Sequence, residues 1–136
     1  MGSYADDALF MSRNNIEYVE LISDDGKSKV MVIPAWQGRV MTTSAAGDEG
    51  DSYGWINYSF IKKRQIDLQF NPVGGEERFW LGPEGGVFSL YFRQGEKQIY
   101  KNWKVPPVLD IEAFKIQSQS KNCICLTKEG CLTNAC

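Results

Sequence analysis

Apolar segments in this chain are short, and each is closed by Gly, Pro or an Asp-rich turn before it reaches helix length. From Asn15 to Ile22 the run NIEYVELI is rich in β-branched and aromatic residues, and Ser23-Asp24-Asp25-Gly26 follows it as a turn. The spacing predicts a strand entering a hairpin, with Ser28–Ile33 returning and Pro34, which cannot donate to a ladder, ending it. Gly38–Thr43 reads as a further strand, and residues 45–51 as an exposed loop. Trp55–Ile61 reads as strand or irregular chain, ahead of a basic turn at Lys62-Lys63-Arg64. Val87–Phe92, nearly all apolar or aromatic, carries the strongest strand signal and is expected in a core. Trp103–Pro107 marks a stiff extended connection, because proline fixes its own φ and biases its predecessor. Phe114–Ser118 and Cys123–Thr127 complete the strands, with Lys128-Glu129-Gly130 as a turn. Only Ala5–Arg13 suits a helix, capped by Asp6 or Asp7. Many short strands with at most one short N-terminal helix imply an all-β sandwich or barrel.

A chain of 136 residues fits one domain, residues 1–136, large enough to bury a core. Hydrophobic residues at 43% and charged residues at 24% argue against disorder. The formal charge of −2, with no Lys/Arg block, excludes a phosphate-tracking surface, so nucleic acid is not an expected partner. Nor is a membrane, since no apolar stretch approaches bilayer length. The start lacks a basic and apolar leader, which predicts a cytoplasmic protein if that start is native and a periplasmic one if a signal was removed.

Histidine is absent, which excludes Ser-His-Asp, Cys-His and His-ligated metal chemistry within this chain. No catalytic residue is assigned, and no cofactor is expected. Cys123, Cys125, Cys131 and Cys136 all lie in the last fourteen residues, spaced C-x-C-x5-C-x4-C. Structural zinc sites favour paired C-x(2–4)-C knuckles, so these read as strand or tail thiols, with Cys123 and Cys125 on one strand face.

Two segments could carry chemistry. Gly74–Gly86 places Glu76, Glu77, Arg78, Trp80 and Glu84 among five glycines and a proline, which can turn sharply and aim large side chains into one concavity. Carboxylates, a guanidinium and an indole suit a sugar: the carboxylates accept from hydroxyl pairs, Arg donates in a planar fork, and the aromatic face covers a pyranose ring. Composition alone favours a structural alternative, with Phe79 and Trp80 in the core and Arg78 paired to Glu76 or Glu77. In Pro34–Ser44, Trp36, Gln37 and Arg39 flank a glycine at a strand entrance, where they reach a cleft or leave Arg39 in solvent. Paired acids also suggest a glycosidase; Glu76 and Glu77 are adjacent and would point to opposite faces of a strand, whereas Glu84 with either is geometrically possible, and hydrolysis ranks below simple binding.

Taken in order, PAWQGRVMTTS, SYGWIN, GGEERFWLGPEGGVFSLYF and WKVPP resemble an uncharacterised bacterial domain family with a galactose-mutarotase-like β-supersandwich, from about Tyr4 to Asn134. The resemblance covers the N-terminal portion of that longer domain. It implies an antiparallel β-sandwich and a carbohydrate-binding or carbohydrate-associated role, with Arg39, Glu76, Glu77, Arg78, Trp80 and Glu84 near a ligand cleft. Epimerase activity does not carry over, since aldose epimerases use histidines. The alternatives are the N-terminal part of an isomerase or lyase-like enzyme with its catalytic groups in further sequence, or an interaction module that self-associates through open strand edges.

Overall fold

The computed structural model describes residues 2–134 and 136. Its first element is helix α1, Tyr4–Arg13, set by a capping box: the Ser3 side chain accepts from the Asp6 amide, and the Asp6 carboxylate accepts from the Ser3 amide. The N-cap is therefore Ser3, and Asp6 is its reciprocal partner rather than the cap expected from sequence. Tyr4, Asp7 and Met11 recur at helical spacing and are buried. Asp7 is inward because Ser52 and Tyr58 both donate to its carboxylate, which satisfies a charge that would otherwise be costly to bury.

The principal sheet is antiparallel, in the order β1 (Val19–Ile22), β2 (Lys29–Ile33), β3 (Arg39–Ser44). Its first hairpin is fixed locally: the Ser23 hydroxyl donates to Asp25, whose carboxylate also accepts from the Lys27 amide, while Gly26 takes φ +73°. Pro34 ends β2 and opens a 3-10 turn, Pro34–Trp36, and the chain reverses through Gln37 and Gly38 at φ +60° and +66°. The outer edge of β3 is covered by backbone hydrogen bonds between Val40 and residues 76–77, and by the Tyr53 amide on Thr43. Met31, Ile33 and Met41 pack with Tyr4, Met11, Ile56, Ile61 and Val73 into one apolar cluster.

A second cluster holds Tyr91, Val105 and Leu109, with Phe70, Trp80, Leu90 and Trp103 against it. Tyr91 lies between two indoles, with ring centroids 5.2 Å from Trp80 and 5.7 Å from Trp103. Two short helices, α2 (Tyr58–Lys62) and α3 (Pro107–Asp110), precede and follow a long, mostly irregular stretch. Strands β4 (Lys115–Gln119) and β5 (Ile124–Thr127) then form a separate antiparallel hairpin. Two antiparallel sheets with a few short helices are thus the architecture.

Most strand expectations hold to within a few residues, and three segments differ. Trp55–Ile61 runs into α2, because the Asn57 side chain accepts from the Phe60 amide and caps a helical turn that buries Ile61. Residues Val87–Phe92 form no strand. Their backbone is held locally, with Ser89 Oγ donating to the Glu84 carbonyl and accepting from the Tyr91 amide, so the run bends to bury Tyr91 and leaves Val87 and Phe88 exposed. Pro107 ends the extended connection by starting α3, where its fixed φ suits the first helical position. Helices α2 and α3 also go beyond the single N-terminal helix expected from sequence. Cys125 lies on β5 and Cys123 just before it; both are exposed free thiols, as are Cys131 and Cys136.

Candidate functional site

A buried ionic group joins segments of both apolar clusters, next to Val73 of the first and Leu109 of the second. Arg39, the first residue of β3, is only 4% exposed, and its Nη1 donates to the Gly74 carbonyl at 2.7 Å. Gly74 and Gly75 make that approach possible at φ +95° and +111°: a Cβ on Gly74 would lie 2.2 Å from the Trp55 carbonyl oxygen, and one on Gly75 2.9 Å from Arg39 Cδ. Asp110, at the end of α3, faces the same point with its side chain 1% exposed. Its Oδ2 accepts from the Asn71 amide at 2.7 Å and from Asn71 Nδ2 at 2.8 Å. Its Oδ1 accepts from Arg78 Nη2 at 3.2 Å and lies 4.0 Å from Arg39 Nη2.

Two guanidinium groups therefore share one carboxylate, and the nearer takes it. Burial, followed by the neighbouring Arg78 charge, pushes the Arg39 guanidinium down to about 10, with Asp110 pulling the other way. Arg78 is shifted down by burial too, against the pull of Asp110. Arg78 also donates to the Leu109 carbonyl at 2.6 Å and lies over the Trp80 ring, 4.2 Å from its centroid.

Beside Arg39 is a cavity of about 210 Å³, lined by Trp36, Gln37, Arg39, Asn71 and Asp110 within and by residues 64–66 at the exposed side. Gln37 is 2% exposed and left-handed, a conformation uncommon outside glycine. Its Nε2 donates to the Glu112 carbonyl at 3.0 Å, while its Oε1 has no partner among the described residues. Arg39 Nε has none either. An unpaired buried donor or acceptor is expensive, so two of them on side chains lining one cavity form an unusual arrangement.

The residues singled out from sequence fall in three places. Arg39, Arg78, Trp80 and Glu84 form one chain of contacts through Asp110, ending where Trp80 Nε1 donates to Glu84 at 2.8 Å. Glu76 is exposed and accepts from the Thr43 amide and hydroxyl. Glu77 is exposed and joins β3 through its backbone, as the bridge to Val40. The partner of Arg78 is thus Asp110, neither Glu76 nor Glu77, and Arg39 is buried rather than solvated. Of the six, Arg39 lines the cavity, together with its neighbours Trp36 and Gln37. Asn71 and Asp110 do not stand out in the sequence. The signal for Asp110 is an acid inside the apolar run Val108-Leu109-Asp110-Ile111, behind two prolines.

Among the described residues no three or more Cys, Asp or Glu side chains converge as a metal site would require, and no helix is long and apolar enough to cross a membrane. No curated protein and no solved structure matches the chain. A family model does match, over residues 2–136, so the chain with this shared-carboxylate site belongs to DUF6786, a family of unknown function.

Proposed function

We propose that the domain binds a carbohydrate of single-ring size in the cavity beside Arg39 and performs no catalysis by itself. The observation that carries this reading is the pair of buried atoms without a partner among the described residues, the Gln37 Oε1 acceptor and the Arg39 Nε donor, on side chains lining one small cavity. A sugar hydroxyl both donates and accepts, so neighbouring hydroxyls can satisfy the two together. Trp36 offers an aromatic surface for the ring. At about 210 Å³ the space is small beside the roughly 300–1,000 Å³ of drug-sized sites, which favours one ring over an oligosaccharide.

In this reading Arg39 and Gln37 contact the ligand, the Gly74 carbonyl anchors Arg39, and Asn71 and Arg78 orient Asp110 beside it. Trp80 and Glu84 extend the support behind Arg78, while Glu76 and Glu77 fix the adjoining segment to β3. The resemblance to mutarotase-like supersandwich domains supports the same ligand class, and two antiparallel sheets are compatible with part of such a sandwich. Isothermal titration of the chain with a panel of hexoses, pentoses and hexuronates tests the proposal. Saturable heat with at least one sugar, weakened by Gln37→Leu, is expected; no heat with any member of the panel overturns it.

A second reading has its own observation. All five residues of β4 are exposed, Ile116 among them, and within its sheet this strand pairs with β5 alone among the described residues. An open edge of this kind, with Ile116 exposed on it, invites pairing with a second copy. Gel filtration decides it: a concentration-dependent dimer lost in Ile116→Lys supports self-association, and a monomer at all concentrations removes it.

A further inference from the structure

We infer that, if the carbohydrate reading holds, the ligand of this cavity is a sugar acid whose carboxylate is received side-on by Arg39 Nε and Nη2. The inference rests on how the donors of Arg39 are distributed. Nη1 is committed to the Gly74 carbonyl, Nε has no partner among the described residues, and Nη2 is 4.0 Å from Asp110 Oδ1, beyond hydrogen-bond reach. The two uncommitted N–H groups lie along the same edge of the guanidinium. That edge presents parallel donors at the spacing of carboxylate oxygens, whereas a single hydroxyl uses one of them.

Charge points the same way. The oxygens of Asp110 are already occupied by Asn71 and Arg78, so this carboxylate is mostly spent before Arg39 is counted. Arg64, at the exposed side of the cavity, adds a further positive charge and enters no ion pair among the described residues. Two guanidinium groups therefore face one carboxylate, a third lines the same cavity at its exposed side, and among the described residues no other acid lines it. A monoanion would relieve the buried excess on Arg39 and be drawn in by Arg64. Gln37 Oε1 needs a donor, which a carboxylate does not supply and a sugar hydroxyl does. Together the two side chains call for a carboxylate and a hydroxyl on one small molecule, as in a hexuronate.

Titration of the full chain with galacturonate and glucuronate, their parent hexoses, acetate and a hexose phosphate tests this. At least one uronate is expected to bind about tenfold or more tighter than its parent, since a charge-assisted pair replaces a neutral contact. It should also exceed acetate by a similar factor and weaken as salt is raised. Equal affinity for uronate and parent overturns the inference while leaving the carbohydrate reading intact; no binding of any sugar removes both. Acetate or the hexose phosphate binding as tightly as the uronate overturns the sugar-acid assignment. Arginine Nε–H resonances in wild-type protein give the location without any substitution. One buried signal should shift with uronate and not with the parent hexose, and Arg39→Lys should abolish the preference. Unmoved Nε–H signals under saturating uronate overturn the role of Arg39.

Discussion

Replacing Asp110 by Asn tests the shared-carboxylate arrangement at nearly constant volume. The change removes the only negative charge facing Arg39 and Arg78 among the ion pairs of the described residues, and it presents an NH2 group where donors already converge. At an effective dielectric of about 20, the Arg78–Asp110 contact at 3.2 Å has a gross attraction of about 5 kcal/mol. Desolvation offsets much of this in the wild type, but the variant keeps the buried cations without their partner. Losing one member of a buried pair costs about 3–5 kcal/mol, a large share of the roughly 5–15 kcal/mol that holds a domain together. For a urea slope of about 2 kcal/mol per M, the unfolding midpoint should fall by about 2 M. Because the site is buried, the drop should persist in high salt, where surface pairs are screened. A fall below about 0.5 M, or one that vanishes in salt, would refute the assignment of Asp110 as the buried counter-charge.

Gly74→Ala should lower stability by at least about 1–3 kcal/mol in the same urea assay, because φ is +95° and the new methyl meets the Trp55 carbonyl at 2.2 Å; an unchanged midpoint would contradict the close approach. Ser3→Ala removes half of the capping box and should cost about 1 kcal/mol, read as a lower thermal midpoint, while Ser12→Ala on the exposed side of α1 should cost much less. Burial, aided for Tyr58 by its hydrogen bond to Asp7, pushes the Tyr58 and Tyr91 phenols up to about 12. The fold favours their neutral forms, so this stabilisation is intact below the ordinary tyrosine pKa of about 10 and is lost as pH rises through about 12. Absorbance titration should show part of the six tyrosines ionising only as the protein unfolds, and a single transition near pH 10 in folded protein would count against it.

Elements governed by neighbours in sequence are legible without the structure. Ser23, Asp25 and Gly26 close the first hairpin with their own side chains and backbone, and Pro34 ends β2 for want of an N–H. The cap of α1 is legible only in part: Asp6 belongs to it, yet as the reciprocal acceptor, and only the helix start shows which residue is first. Residues 87–92 mislead for a different reason. Their apolar character marks burial, but Tyr91 is buried by indoles from Trp80 and Trp103, and among the described residues no neighbouring strand pairs with the run.

Residue types and their spacing are enough to mark the turn-bounded hairpins, the lack of histidine chemistry and the segments 34–44 and 74–86, which the fold brings together beside Arg39. Those properties depend on residue type and on partners a few positions away. Which charges face each other is settled only by packing. Arg39, Arg78 and Asp110 come from distant parts of the chain, and nothing local distinguishes Asp110 from Glu76 or Glu77 as the partner of Arg78. The choice is made when α3 buries Leu109 in the second cluster and swings Asp110 against β3, out of water, where only a cation and amide donors make its charge tolerable. The same packing leaves Gln37 Oε1 and Arg39 Nε without partners among the described residues, beside a cavity that the sequence could locate only to a glycine at the start of a strand.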